Sequence, residues 1–241
     1  MNQASQSATP PSSWTEFRRG IVAMTPALLG LVPFALVLGA EAARKGLSPL
    51  EVLLLCGMNF AGGSEFVAVE LWNNPVPFLL IVGMTLLVNS RHILMGAALA
   101  PHIRHLPKRK ALLALFFMAD EVWAFGIQEA RRRGGLTAEI NLPFYAGLAT
   151  ALYSTWIMTT VAGSLVGPLF GDPTAYGFDM AFPAVFLVLL KGLWTGYRAA
   201  APWLVSLVAA AAVHLLVPGA WYVLAGTLAG MATAYIWPVQ E

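Results

Sequence analysis

The chain has 241 residues, of which 58% are hydrophobic and only 11% are charged, and its formal net charge is +2. Soluble domains usually carry about 25% charged residues, so this composition indicates an integral membrane protein rather than a soluble domain. The basic residues lie in short stretches between apolar runs, which excludes the basic surface of a nucleic-acid-binding protein. The single cysteine, Cys56, excludes an intramolecular disulfide, and we predict neither a cofactor nor a metal site.

The first residues, MNQASQSATPPSS, are polar and rich in Pro and Ser, so we predict a disordered tail over residues 1–16. Arg18 and Arg19 then precede an apolar run that is longer than the hydrophobic region of a signal peptide, about 7–15 residues. This run predicts a first transmembrane helix. Residues 17–238 are predicted to form a single transmembrane transport domain.

Apolar windows follow one another along the rest of the chain, separated by short turns. A spanning helix needs about 20 mostly apolar residues, and runs rich in Ala and Leu favour helices over a barrel. We therefore predict an all-α, polytopic integral membrane protein with six to eight membrane segments. The windows that qualify, or nearly qualify, are 21–43, 50–72, 76–103, 111–128, 142–170, 180–197, 201–217 and 220–237.

Two of these windows are predicted to be broken or re-entrant. Window 50–72 is interrupted by Ala-Gly-Gly-Ser, and window 180–197 has only eight apolar residues before a lysine. Interrupted segments at corresponding positions of two halves suggest inverted repeats, here residues 20–130 and 142–238. The positive-inside rule leaves the orientation open, because one window separates two basic loops, although Arg18 and Arg19 favour a cytoplasmic N-terminus.

The stretch FAGGSEF, Phe60 to Phe66, has glycines and a carboxylate inside an apolar run. Gly62 and Gly63 allow a helix to break at low steric cost. Ser64 and the freed N–H groups would start a second half-helix, whose positive end can receive a carboxylate. The alternative is a close helix contact made by the glycines. Glu65 is expected to pair with Arg91 or to exchange a proton.

The third window carries Asn89, Arg91 and His92 near its middle, with Asn89 and His92 on one helix face. A guanidinium inside a membrane needs a carboxylate partner, and Glu65, Asp120 and Glu121 are the candidates.

Window 111–128 contains Asp120 and Glu121, which together cost about 6 kcal/mol on an insertion scale, against roughly 4 kcal/mol gained from its apolar residues. These acids must therefore face protein, water or a cation. Because neighbouring helical residues point about 100° apart, one pocket is expected to receive only one of them directly.

These residues predict a transport site rather than an enzyme. Two alternatives stay open: an intramembrane serine hydrolase using Ser64 with His92, although the local sequence is not G-x-S-x-G, and a scaffold subunit whose partner supplies the pathway. The candidate substrate-binding residues are Phe60, Gly62, Gly63, Ser64, Glu65, Asn89, Arg91 and His92. The candidate proton-coupling residues are Glu65, His92, Asp120 and Glu121.

Five stretches of the chain resemble the AzlC/YgaZ family, the large subunits of bacterial branched-chain amino acid exporters. The resemblance runs from about residue 17 to 237, and the Asn-x-Arg-His run and the Asp-Glu pair are its most specific parts. The stretches are GLSPLE at 46–51, FAGGSEF at 60–66, LLVNSRHILMGAALAPHI at 86–103, DEVWA at 120–124 and DMAFPAVFLVLL at 179–190.

The resemblance implies a multi-pass permease of the bacterial inner membrane that acts with a small hydrophobic subunit of the AzlD/YgaH type. It implies efflux of leucine, isoleucine or valine, or of a toxic analogue, driven by the proton gradient. Where the family often has FAGASQF, this chain has Gly63 and Glu65, and the added charge bears on which amino acid or ion is used. The family's polar stretches fall on Ser64, Asn89, Arg91, His92, Asp120 and Glu121.

Overall fold

A computed structural model of the protein describes residues 12–135, 138–170, 196–217 and 221–237. Every regular element in these ranges is helical, which confirms the predicted all-α class for this part of the chain. The chain divides into two compact units, Met1–Ala181 and Phe182–Glu241. The first unit contains α1 (Ser13–Arg44), α2 (Pro49–Asn59), α3 (Gly62–Glu70), α4 (Phe78–Asn89), α5 (Arg91–Ile103), α6 (Lys108–Phe116), α7 (Asp120–Gly134), α8 (Leu142–Val166) and a 3₁₀ turn (Gly167–Phe170). The second contains α9 (Tyr197–Leu216) and α10 (Trp221–Ile236).

Helices α1 and α8 pack against each other along their lengths and run parallel. Gly20 lies beside Gly147, and Gly39 lies beside Thr160, so residue numbers rise together along the two helices. A Cβ atom on Gly20 would lie 2.1 Å from the carbonyl oxygen of Phe144. Only glycine at positions 20, 39 and 147 allows the two backbones to approach so closely, as small residues do between membrane helices.

Helices α2 and α3 form a hairpin whose two ends both lie at the C-terminal end of α1. α1 ends at Arg44 and α2 begins at Pro49, so the connection is short. α2 then ends in Phe60, which has left-handed backbone geometry with φ of 46°. α3 returns to its starting side, where Lys45 Nζ donates to the carbonyl oxygen of Glu70 at 2.8 Å. The predicted interruption of the second window is confirmed, and the chain reverses its direction there.

Helices α4 and α5 form one long rod that runs in the opposite direction to α1. Its hydrogen bonding is interrupted at Ser90, whose backbone nevertheless keeps helical angles. At the end of the rod, the carbonyl oxygen of His102 accepts from the N–H of Ile140 at 3.0 Å. Ile140 directly precedes α8, so the rod ends at the N-terminal end of α8 and hence of α1.

Helices α6 and α7 form a second hairpin, which enters from the end opposite to the first. α6 begins just after α5, and Arg133 near the end of α7 reaches Glu16 of α1, with Nη2 and Oε2 2.5 Å apart. Residues 117–119 separate the two helices. Window 111–128, a candidate membrane segment in the sequence, therefore contains parts of two antiparallel helices.

The first unit consequently contains an inverted pattern. α1 is followed by a hairpin at its C-terminal end, and the antiparallel rod α4–α5 is followed by a hairpin at its own C-terminal end. Residues 13–70 and 78–134 thus form two helix-plus-hairpin sets that run in opposite directions. The predicted inverted repeat of residues 20–130 and 142–238 stays a prediction where it involves residues outside the described ranges. The first helices of the two halves, α1 and α8, run parallel, whereas an inverted repeat requires them to be antiparallel.

Among the described helices, Ser13–Arg44 and Phe78–Ile103 are both long and apolar enough to cross a membrane. α8 has 25 residues, which gives it the necessary length. α1 also includes the last four residues of the predicted tail, while residues 1–11 lie outside the described ranges. Most of the predicted broken segment 180–197 lies outside them as well. In the second unit, α9 and α10 pack together through small residues such as Gly226 and Ser206.

Candidate functional site

The tips of the two hairpins meet beside the middle of α8. The rings of Phe60, at the first tip, and Phe117, at the second, have centroids 6.4 Å apart, and both lie about 5 Å from the ring of Tyr153. The Tyr153 hydroxyl also donates to the carbonyl oxygen of Gly57 at 2.9 Å. The aromatic cluster thereby fixes two interrupted helices against one continuous helix, at a single depth in the bundle.

A chain of polar side chains connects the first tip to the rod. Asn59 donates from Nδ2 to Ser64 Oγ at 2.8 Å, and Asn89 donates from Nδ2 to Asn59 Oδ1 at 3.2 Å. Ser64 is fully buried and its hydroxyl donates to the carbonyl oxygen of Ala61 at 2.9 Å. The break in α2–α3 therefore has its freed backbone group satisfied by its own side chains, as required at membrane depth.

Glu65 is fully buried and accepts hydrogen bonds at both carboxylate oxygens. Its Oε1 accepts from the N–H of Ala61 at 2.9 Å, and its Oε2 accepts from Trp156 Nε1 at 2.9 Å. Glu65 thus occupies the positive end of α3 and links it to α8. The expected pairing of Glu65 with Arg91 is wrong, because the backbone break directs this side chain towards Trp156 instead.

Arg91 pairs with Asp120, one of the three carboxylates predicted as its partner. Its Nη1 atom lies 2.8 Å from Asp120 Oδ2, and the two side chains are 44% and 48% exposed. A Cβ atom on Gly63 would lie 3.7 Å from Arg91 Nη2, so the guanidinium also faces the start of α3. The ion pair therefore joins the rod to the second hairpin, next to the first one.

Asp120 and Glu121 form the first turn of α7, where the helix dipole favours carboxylates. Asp120 faces Arg91, whereas Glu121 is partly buried on a different side of the helix, as the 100° step predicts. Two side-chain oxygens, Asp120 Oδ1 in the ion pair and Asn89 Oδ1 in the polar chain, are buried and have no partner among the described residues. Buried acceptors are nearly always paired, so this site can accept further donors.

His92 and Ser64 do not form a nucleophile–base pair. His92 Nδ1 lies 3.2 Å from the carbonyl oxygen of Asn89, and the hydroxyl of Ser64 is bonded to Ala61 and Asn59. The arrangement gives no support to a serine hydrolase.

Sequence reasoning missed Asn59, Tyr153 and Trp156. Asn59 carried a usable signal, because it is a polar residue inside an apolar run and directly precedes the glycine break. The two aromatic residues lie in an apolar helix with nothing in the sequence to relate them to the break.

A separate ionic cluster ties α1, α7 and α8 together at the N-terminal end of α1. Glu16 receives hydrogen bonds from Arg133 and Asn141, and Glu129 receives them from Arg19 and Arg133. Burial raises the pKa of Glu129, but the hydrogen bonds from Arg133 and Arg19 outweigh it and hold that pKa below its ordinary value. The cluster lies beyond the apolar windows and fixes the outer end of α7.

Comparison with known proteins places this site in a family. The model of the family described as AzlC protein matches residues 26–170 of this chain. The inner membrane protein YgaZ of Escherichia coli is 30% identical over 96% of this chain and 95% of its own length. A membrane protein of Archaeoglobus fulgidus is 30% identical over 72% of this chain and 74% of its own. The branched-chain amino acid transport protein AzlC of Bacillus subtilis is 27% identical over 75% of this chain and 69% of its own.

No solved structure is significantly similar to the chain. The relatives are named as membrane or transport proteins, which supports a membrane location, and the family match includes both hairpins and the ion pair between them. The chain belongs to the AzlC family.

Proposed function

We propose that this protein is a secondary transporter of the bacterial inner membrane that exports branched-chain or related amino acids. The meeting of two opposed re-entrant hairpins at one depth, with the Arg91–Asp120 pair between them, carries this proposal. Discontinuous helices that meet near the middle of a membrane are typical of secondary transporters. The name of the Bacillus subtilis relative, a branched-chain amino acid transport protein, supports the substrate class.

The proposed substrate is a zwitterion, which needs acceptors for its ammonium group and donors for its carboxylate. Asn89 Oδ1 and Asp120 Oδ1 are buried acceptors with free capacity. Arg91 supplies the charged donor, and the N–H groups of Gly62 and Gly63, in the first turn of α3, have no acceptor within their own helix. The aromatic cluster at the hairpin tips supplies the apolar contact that a branched side chain needs.

We place the coupling proton on Asp120. Both oxygens of Glu65 already accept N–H donors, so an added proton would need an acceptor of its own at a fully buried position. Asp120 has a free oxygen, and neutralising it would weaken its attraction for Arg91 and open the contact between the rod and the second hairpin. Roles for His92 and Glu121 in coupling remain part of the proposal.

The fold also supports a cytoplasmic N-terminus. Because α6 and α7 form a hairpin, the basic stretches at 104–110 and 131–133 lie at the same end of the bundle as Arg18 and Arg19. If residues 111–128 crossed the membrane, the two basic stretches would lie on opposite sides and the positive-inside rule would give no orientation. Because both lie at one end, the rule assigns that end to the cytoplasm.

Transport by purified protein tests the proposal. Liposomes loaded with labelled leucine, isoleucine, valine or control amino acids are assayed with a proton gradient and with an ionophore, for the chain alone and with a small AzlD/YgaH-type subunit. Arg91→Ala should reduce flux at least tenfold. Arg44→Ala, which removes an arginine from an exposed ion pair with Glu41, should change it less than twofold.

Unchanged flux in the Arg91→Ala protein contradicts the proposed site, and flux that ignores the ionophore contradicts proton coupling. Flux that needs the small subunit and is unchanged in the Arg91→Ala protein would identify this chain as a scaffold.

A further inference from the structure

We propose that the groove between α6 and α8 binds an anionic phospholipid, with an acyl chain between the helices and the phosphate at the start of α6. The groove has a volume of about 410 Å³, within the range of small-ligand sites. Its wall is mainly carbon, with residues such as Leu113, Ala146, Ala149 and Tyr153, and Lys110 lies at one end.

The length and chemistry of the groove suit a hydrocarbon chain. Its wall follows α8 from Leu142 to Ser154, which corresponds to a rise of about 18 Å. One leaflet of a bilayer has a hydrocarbon depth of about 15 Å. Three hydroxyls along the wall already donate within the protein: Tyr145 to the carbonyl oxygen of Ala114 at 2.8 Å, Tyr153 to that of Gly57 at 2.9 Å, and Ser154 to that of Thr150 at 2.6 Å. The wall therefore offers mainly apolar contact to a hydrocarbon chain.

The charge at the mouth of the groove suits an anionic head group. Lys108, Arg109 and Lys110 form the first turn of α6, are exposed, and make no ion pair with any described residue. This helix end has no side-chain cap and no acid in its first turn. Cations are unfavourable at the positive end of a helix, whereas an anion there is favoured by the free N–H groups and by the dipole.

These two features select one kind of occupant. A free phosphate would satisfy the cations but leave the groove empty of hydrocarbon, and a zwitterionic lipid would place its own cation beside three others. Basic pockets between membrane helices on the cytoplasmic side are known to bind anionic head groups. An anionic phospholipid is the ligand that uses both the groove and Lys110.

The inner end of the groove reaches the hairpin tips. Phe117 and Tyr153 both line the groove and contact the ring of Phe60, with Tyr153 and Phe60 centroids 5.0 Å apart. A bound acyl chain would therefore pack against residues that hold the two tips together.

Native mass spectrometry of the full-length protein in detergent tests the site, using phosphatidylglycerol and phosphatidylcholine with identical acyl chains. We expect phosphatidylglycerol to bind at least tenfold more tightly. The K108Q/R109Q/K110Q protein should lose this preference, and Ala149→Phe should weaken binding of both lipids by filling the groove. The control R131Q/R132Q removes two exposed arginines outside the groove and should bind as the parent does.

Equal binding of the two lipids, or the same loss in the R131Q/R132Q control, would overturn the proposal. A photo-crosslinking amino acid at position 149 provides a second readout in native membranes. This readout does not depend on whether the K108Q/R109Q/K110Q protein folds. A phospholipid adduct supports the proposal, and a polypeptide adduct assigns the groove to a partner subunit instead.

Discussion

Arg91 and Asp120 join the rod α4–α5 to the second hairpin, with Nη1 and Oδ2 2.8 Å apart. The pair lies beside Gly63, at the beginning of α3, so one guanidinium faces three separate interrupted elements. Both residues lie where helical hydrogen bonding is interrupted: Arg91 begins α5 and Asp120 begins α7. The ion pair is therefore placed to respond when the hairpins move relative to the rod.

Transport should depend on Arg91 and Asp120 as a unit. We expect Arg91→Ala and Asp120→Ala each to lower the initial rate of leucine efflux at least tenfold, because each breaks the contact between the rod and the second hairpin and leaves a charge at membrane depth without its partner. The double variant should be no slower than the slower single variant, which a double-mutant cycle in liposomes would measure. If the fold-losses of the two single variants multiply in the double variant, the two residues act independently. The exposed pair Arg44–Glu41 provides the matched control cycle.

Glu65→Gln should destabilise the protein even though it preserves size. A carboxylate accepts from both Ala61 and Trp156, whereas an amide presents an NH₂ group to one of these donors. We expect a loss of about 1–3 kcal/mol, the usual cost of leaving a buried polar group unsatisfied. Thermal unfolding in detergent would measure it, with the exposed Glu70→Gln as the control. Equal melting temperatures for these two variants would contradict the role assigned to Glu65.

The parallel packing of α1 and α8 predicts a contrast between two glycines of the same helix. A Cβ atom on Gly39 would lie 1.9 Å from the carbonyl oxygen of Thr160, while one on Gly30 has no neighbouring atom within 4 Å. Gly39→Ala should therefore lower the melting temperature by several degrees. Gly30→Ala should leave it unchanged or raise it, since alanine is the better helix former by roughly 0.5–1 kcal/mol. The opposite order would show that the helices do not meet at Gly39.

Acid should weaken the ionic cluster at the N-terminal end of α1. The pKa of Glu129 is held below its ordinary value in the folded protein. The ionised carboxylate therefore stabilises the fold fully at a pH above the ordinary pKa, and this stabilisation is lost as the pH falls through the lowered pKa. The melting temperature should accordingly fall as the pH drops below about 4.5. Glu129→Gln should show a lower melting temperature near neutral pH and a smaller fall in acid. An identical fall in the parent and variant would rule out this contribution.

The first hairpin was predictable from sequence and the second was not. Gly62 and Gly63 indicate a break when they stand beside Glu65, because glycine lets a helix break at low steric cost and a carboxylate is costly in lipid. The break at 117–119 contains neither Gly nor Pro, and its sequence is as apolar as that of a continuous helix. Only the Asp120–Glu121 pair, which favours the first turn of a helix, marked where α7 begins.

The side-chain partners within the site could not be predicted from the local sequence either. Three carboxylates were candidates for Arg91, and only the relative placement of the hairpins selects Asp120. Glu65 instead finds Trp156, which lies 91 positions away in the chain. Such choices depend on distances between elements that periodicity and hydropathy do not encode.

The most direct test is to find on which side of the membrane the two ends of the second hairpin lie. The protein has a single cysteine, Cys56, which is buried, so Cys56→Ala provides a background for single cysteines at positions 109, 132 and 73. Labelling of intact cells and of inverted vesicles with a membrane-impermeant maleimide then reports each side. We expect positions 109 and 132 to react only from the cytoplasm and position 73 only from outside. Reaction of 109 and 132 from opposite sides would show that α6–α7 crosses the membrane and that the hairpins do not meet.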